Sequence, residues 1–114
     1  MREFTLLFRG GDQSASPETM ERRMQKWGAW INELRAGGYV KELGRPLEEG
    51  GKVVRAQAKT ITDGPYAETK DIVGGFLIVQ TDDLAQAAEL ARGCPILEIG
   101  GLVEVRPVME LSLP

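Results

Sequence analysis

The chain reads as strand, helix, strand or pair of strands, strand, helix, strand. That order predicts an α+β domain of the ferredoxin-like, split β-α-β (βαββαβ) type, with both helices on one face of an antiparallel sheet. Two observations carry the prediction. Met20, Met24, Trp27, Ile31 and Leu34 recur at steps of 4, 3, 4 and 3, a stripe on a 3.6-residue period. Short runs rich in aliphatic and β-branched residues at Phe4–Phe8, Ile72–Gln80 and Leu102–Met109 are bounded by glycine and turn residues.

Phe4 to Phe8 is the first strand, closed by Gly10-Gly11-Asp12. Ser16 is placed to cap the first helix, Pro17 occupies its first position and Glu18 puts negative charge in its first turn. Gly37-Gly38 ends it. Tyr39 to Leu43 is a short candidate strand, followed by a turn-rich connection from Gly44 to Gly51. Val53 to Ile61 alternates, with Val54, Ala56, Ala58 and Thr60 on one face and Arg55, Gln57 and Lys59 on the other, so a single strand is expected there. Thr62-Asp-Gly-Pro65 has the composition of a loop. A strand over Ile72–Gln80 leads into a helix starting at Thr81 or Asp82, carrying Leu84, Ala87, Ala88 and Ala91 and stopped by Gly93 and Pro95. In the closing strand Val103 and Val105 alternate with Glu104 and Arg106.

The strand from Ile72 is apolar on both sides: Phe76 and Ile78 face one way, Leu77 and Val79 the other. Two helices cover only one face. Another copy of the same sheet is the simplest cover for the second, which predicts a homodimer with sheets packed face to face.

With 114 residues, the expectation is one domain spanning 1–114, with no linker or internal repeat. Fourteen basic against 17 acidic residues give a net charge of −3 and no basic run, so no nucleic-acid role is expected. The longest mostly apolar stretch, Ile72 to Val79, falls far short of the ~20 residues of a membrane span. No signal-peptide pattern opens the chain, and a cytoplasmic protein is expected. There is no histidine, and the one cysteine, Cys94, follows a helix instead of starting one, which suits a structural thiol. Neither a zinc centre nor a cofactor is indicated; Asp63, Glu68 and Asp71 offer oxygen ligands suited at most to weak binding of a hard cation.

The chemistry-bearing stretch is Thr62-Asp-Gly-Pro-Tyr-Ala-Glu-Thr-Lys-Asp71. It brings together Asp63, Tyr66, Glu68 and Lys70. One reading is structural: the Asp63 side chain bonds backbone N–H groups two residues on, and Glu68 to Lys70 is an exposed connection. In the other, Asp63 is an acid or base, a role that needs burial or a neighbouring like charge to raise its pKa by roughly two to three units. Trp27 lies on the helix stripe and is expected in the core, while Trp30, toward its edge, can line a cleft or interface. Arg9, Arg55, Lys59 and Arg106 can meet on the polar sheet face, either to hold an anion or to remain ion-paired and solvated.

Taken together, Trp27 and Trp30 on the helix, Thr62-Asp-Gly-Pro-Tyr66 with Glu68 and Lys70, Gly74-Gly75-Phe76, Cys94-Pro95 and Val103-Glu-Val-Arg-Pro107 resemble the YCII-related proteins. The similarity covers nearly the whole chain and is strongest to the branch with an Asp-Gly-Pro-Phe signature, Tyr66 here replacing Phe. The resemblance implies a dimeric α/β barrel and a cleft at the signature loop, without an established reaction. Some members are linked with lyase or isomerase chemistry on small cyclic compounds, and members of this branch with sigma factors, which points toward regulation. Other branches pair a His with an Asp, and this chain has no His.

Two readings follow. In the first, a non-catalytic homodimer binds a small molecule or a partner at a cleft lined by Trp30, Pro65, Tyr66, Glu68, Lys70 and Arg106. In the competing one, a cofactor-independent lyase- or isomerase-like enzyme uses Asp63 as acid or base.

Overall fold

The structure is a computed structural model that describes residues 1–112. Six strands and two helices follow in the order β1 (Arg2–Gly10), α1 (Pro17–Ala36), β2 (Val40–Glu42), β3 (Gly51–Val54), β4 (Ile61–Gly64), β5 (Val73–Thr81), α2 (Leu84–Ala91) and β6 (Gly101–Pro107). Four of the strands form an antiparallel sheet in the order β2-β5-β1-β6. That is the strand order of the split β-α-β layout. β3 and β4 pair only with each other, as a separate two-stranded ribbon inserted between β2 and β5.

Local chemistry sets the ends of both helices. The Ser16 hydroxyl accepts the Thr19 N–H at 3.2 Å, Pro17 fills the first position, and Gly38 takes a φ of +77° just past the end of α1. Asp83 caps α2 by accepting the Gln86 backbone N–H at 2.8 Å on its carboxylate, and the Gln86 side-chain Oε1 accepts the Asp82 N–H at 2.9 Å. α2 therefore starts at Leu84, slightly later than Thr81 or Asp82. Thr81 instead ends β5, fully buried, its hydroxyl donating to the Asp83 carbonyl at 2.8 Å.

The core lies between the helices and one face of the sheet. Phe4 pairs across with Val79 and Leu6 with Leu77, and these four are essentially inaccessible. Ala87, Ala91, Leu34, Trp30 and, after α2, Cys94 and Ile96 close over them. Phe8, Trp27 and Trp30 meet edge to face, with ring centroids 4.9 Å (Phe8–Trp27), 6.0 Å (Phe8–Trp30) and 5.8 Å (Trp27–Trp30) apart. Trp30 is the buried member, its indole N–H donating to the Leu90 carbonyl at 3.2 Å, and Trp27 is only partly buried. This reverses the expected order. The stripe is also shorter than its periodicity, because Met20 and Met24 are exposed and only its second half meets the core.

The alternating run Val53–Ile61 is not one strand. Val54 pairs with Ile61 and Lys52 with Asp63, and the chain reverses between them through residues 56–60, where Ala58 and Lys59 adopt φ of +53° and +51°. Thr62-Asp-Gly is consequently strand β4 and not loop, and a short 3₁₀ turn over Thr69–Asp71 leads back to β5. Gly10, at φ +69°, lies so close to the Lys70 carbonyl that a Cβ there would collide with it, which seats this turn at the end of β1.

Candidate functional site

The second face of the sheet is uncovered among the described residues. Its side chains form rows fixed by register: Phe76, Leu7 and Glu104; Ile78, Thr5 and Arg106; Arg9 beside Leu102. Phe76 and Leu102 are exposed, and Leu7 and Ile78 are half-buried. The Arg9 Nε donates to the Glu104 carboxylate at 2.9 Å, and its Nη1 donates to the Asp71 carbonyl at 2.7 Å. Arg9 thus ties the end of the signature loop to the sheet. Arg106 has no carboxylate partner among the described residues.

The seven residues singled out from sequence do not converge on one cavity within a chain. Asp63 stands on the ribbon with its side chain 87% exposed, paired with the Lys52 ammonium at 2.5 Å. It bonds that side chain across the ribbon instead of backbone N–H groups, so the Asx-turn expectation is corrected. Nor does the chain supply burial of the carboxylate, one of the conditions for an acid–base role. Pro65 follows a cis peptide bond, and Tyr66, 81% exposed, lies under the Arg55 guanidinium, 5.9 Å from its ring centroid. Glu68 and Lys70 face each other loosely at 3.9 Å, both exposed. Arg106 is on the open sheet face, and Trp30 is inside the helix layer on the opposite side. Of the four cations expected to meet on the sheet, Arg9 and Arg106 do, while Arg55 and Lys59 belong to the ribbon and its turn.

Asp63, Glu68 and Asp71 form no metal cluster: no three His, Cys, Asp or Glu side chains converge among the described residues. Cys94 is a buried free thiol, and burial pushes its pKa up to about 11. Asp12, at the mouth of the loop before α1, is held below the ordinary carboxylate range by hydrogen bonds from the Ser14 hydroxyl and backbone N–H, with a smaller contribution in the same direction from the Arg23 charge. No described helix is long and apolar enough to cross a membrane.

Sequence reasoning missed a groove of about 410 Å³ on the helix side, where Lys26, Trp30 and Glu33 of α1 face Arg92, Pro95 and Leu97. A neighbouring one of about 260 Å³ runs along Arg22, Arg23 and Trp27. The Lys26–Glu98 ion pair, 3.1 Å, lies where the two grooves meet. Of the seven residues only Trp30 lines either groove. Its signal was the i, i+3 pairing with Trp27; the 3₁₀ turn at Pro95–Ile99 that forms the far wall had none beyond its proline.

A split β-α-β sheet with helices on one face and a ribbon inserted beside an open face defines a ferredoxin-like α+β domain. The chain belongs to the YCII-related family, whose model matches residues 4–112. No curated protein matches it in sequence. Among solved structures it is similar to the 5-chloro-2-hydroxyhydroquinone dehydrochlorinase TftG of Burkholderia phenoliruptrix AC1100, in complex with 2,5-dihydroxybenzoquinone. The identity is 19%, the TM-score is 0.42, and the match covers 89% of this chain and 90% of that one.

Proposed function

We propose that this protein is a homodimeric, non-catalytic binder of a small, partly apolar anion, working in the cytoplasm, with its site on the open sheet face beside the signature loop. The observation that carries the reading is Arg106, a cation without a carboxylate partner among the described residues, on a face that also presents Leu7, Phe76, Ile78 and Leu102. An apolar surface with one unpaired cation suits a small ring bearing a carboxylate or phenolate, the ring excluding water and the guanidinium fixing orientation. The neighbouring Arg9–Glu104 pair is half-buried and positions the loop through Asp71. The same face, apolar on a strand that is also apolar toward the helices, supports assembly with a second copy. The Asp-Gly-Pro-Tyr sequence with Glu68 and Lys70 supports the Asp-Gly-Pro-Phe branch of the family, and with it a regulatory role connected to a sigma factor.

Titration of labelled protein with benzoate and salicylate, followed by amide NMR, tests the site. Shifts are expected at Thr5, Leu7, Phe76, Leu102 and Arg106, with Arg106→Gln lowering affinity about tenfold, the order of one charge-assisted hydrogen bond. Shifts confined to the groove around Lys26 and Arg92, or none at all, overturn the site. The competing lyase reading is tested by Asp63→Asn, which would abolish turnover of a small cyclic substrate while leaving its binding intact.

A further inference from the structure

The geometry points to the β3–β4 ribbon as an arm that docks on a second copy of this chain, so that Asp63 and Tyr66 of one protomer complete the open-face site of the other. This rests on the dimer reading above and specifies which residues cross between subunits.

Three observations carry it. First, the ribbon has no support of its own. From Leu47 to Asp71 no residue is buried, and a two-stranded hairpin without a third strand or a covering layer is marginally stable in water. Second, the chain is too open for a monomer of its size. Its radius of gyration is 15.9 Å against about 13.3 Å for a compact domain of this length. Its accessible surface is 8297 Å² against about 6,200 Å² for a folded 12.5 kDa chain. The excess is on the scale of the area each partner gives up in an extensive homodimer, roughly 1,000–2,500 Å². Third, the two uncovered surfaces match in chemistry. On one face of the ribbon Val54 and Ile61 are cross-strand neighbours, 67% and 68% exposed, next to the Lys52–Asp63 ion pair. The open sheet face likewise sets Leu7, Phe76 and Leu102 beside the Arg9–Glu104 pair. Apolar pair against apolar row and ion pair against ion pair is a self-complementary arrangement, as a two-fold interface requires.

Docking of the arm also answers the scatter of the signature residues. Asp63, Tyr66 and Arg106 are apart within one chain, and the partner's arm brings the first two to the third. Asp63, exposed in the isolated chain, then leaves bulk water only in the assembly.

The test uses the full chain. Sedimentation equilibrium measures the dimer constant of the wild type, of Val54→Lys/Ile61→Lys on the arm and of Phe76→Lys on the sheet, with far-ultraviolet circular dichroism confirming that each variant is folded. Hydrogen exchange then follows the amides of residues 51–64 in the wild type and in Phe76→Lys. The expected result is a wild-type dimer, at least a tenfold weaker constant for the arm variant, and ribbon amides protected in the wild type but exchanging freely once Phe76→Lys has separated the protomers. A wild-type dimer split by Phe76→Lys but untouched by the arm variant, with residues 51–64 exchanging freely in both, overturns the arm and leaves the dimer standing. A wild-type monomer overturns both. An arm variant that does not fold is replaced by deletion of residues 54–61 with a two-glycine closure, read by the same constant.

Discussion

The two faces of one sheet are finished to different degrees. Leu6 and Leu7 are neighbours in β1: Leu6 is fully inaccessible under the helices, and Leu7 is half-buried on a face that no other described part of the chain covers. Toward the helices, aromatic edges, small residues of α2 and a satisfied indole N–H close the packing, and no buried side-chain polar atom lacks a partner among the described residues. Away from them, the Arg9–Glu104 ion pair and large apolar groups share an open surface. The first face is closed within one chain, and the second is left open by the described residues.

The largest break in that contrast should come from Trp30. Trp30→Ala removes a buried indole, two edge-to-face contacts and the bond to the Leu90 carbonyl, and should lower stability by about 3–5 kcal/mol in urea unfolding. Met24→Ala, on the same predicted stripe but exposed, should change it by less than about 0.5 kcal/mol. Equal losses for the two would mean that α1 sits on the sheet by its full stripe and not by its second half.

Next comes the pair at the heart of the comparison. Leu6→Ala should cost about 2–4 kcal/mol at any protein concentration, because its cavity lies inside one chain. On the proposed dimer Leu7→Ala should cost less, and its penalty should shrink toward zero as the protein is diluted below the dimer constant, because the wild type then lacks the same contact. Thermal unfolding at several concentrations separates them; a concentration-independent Leu7→Ala penalty would make the open face a monomer surface.

How much of this was legible in sequence follows from where the signals were local. Ser16-Pro17 and Gly37-Gly38 bound α1, and the two-sided apolar pattern of β5 announced both the covered and the open face. The ribbon was hidden because its reversal, Ala56-Gln-Ala-Lys-Thr60, contains none of the residues that normally mark a turn, and period-2 alternation runs straight through it. Asp-Gly-Pro misled in the opposite sense, since turn residues sit here in a strand that pairs Asp63 with Lys52. The inward turn of Trp30 depends on the carbonyl of Leu90, sixty residues away, and no helical period reports that.

Cys94 sharpens the closed side from another direction. Its thiol has been pushed up to about 11 from 9.0 by burial, so the folded state holds the proton more tightly than the unfolded one. The associated stability is fully present below about pH 9 and is lost as pH rises toward about 11. Urea unfolding from pH 8 to pH 11 should show that decline in the wild type and a shallower one in Cys94→Ala. At pH 8 the native thiol should also alkylate with iodoacetamide at least about a hundredfold more slowly than in the unfolded chain, since thiolate is scarcer by that factor and access is blocked.

The smallest effect is expected at the most conspicuous sequence motif. Had the Asp63 carboxylate capped its own turn, Asp63→Asn would cost on the order of 1 kcal/mol. Its partner is instead the exposed Lys52 ammonium, and exposed ion pairs of this kind contribute roughly 0–1 kcal/mol, screened further by salt. In the dissociated chain Asp63→Asn should therefore shift the urea midpoint by little, with a change below about 0.5 kcal/mol that vanishes in 0.5 M NaCl. A stable Asp63→Asn protein with altered benzoate affinity assigns the carboxylate to the ligand. One with unchanged affinity leaves Arg106 and the apolar row as the site and makes the signature carboxylate a feature of the arm alone.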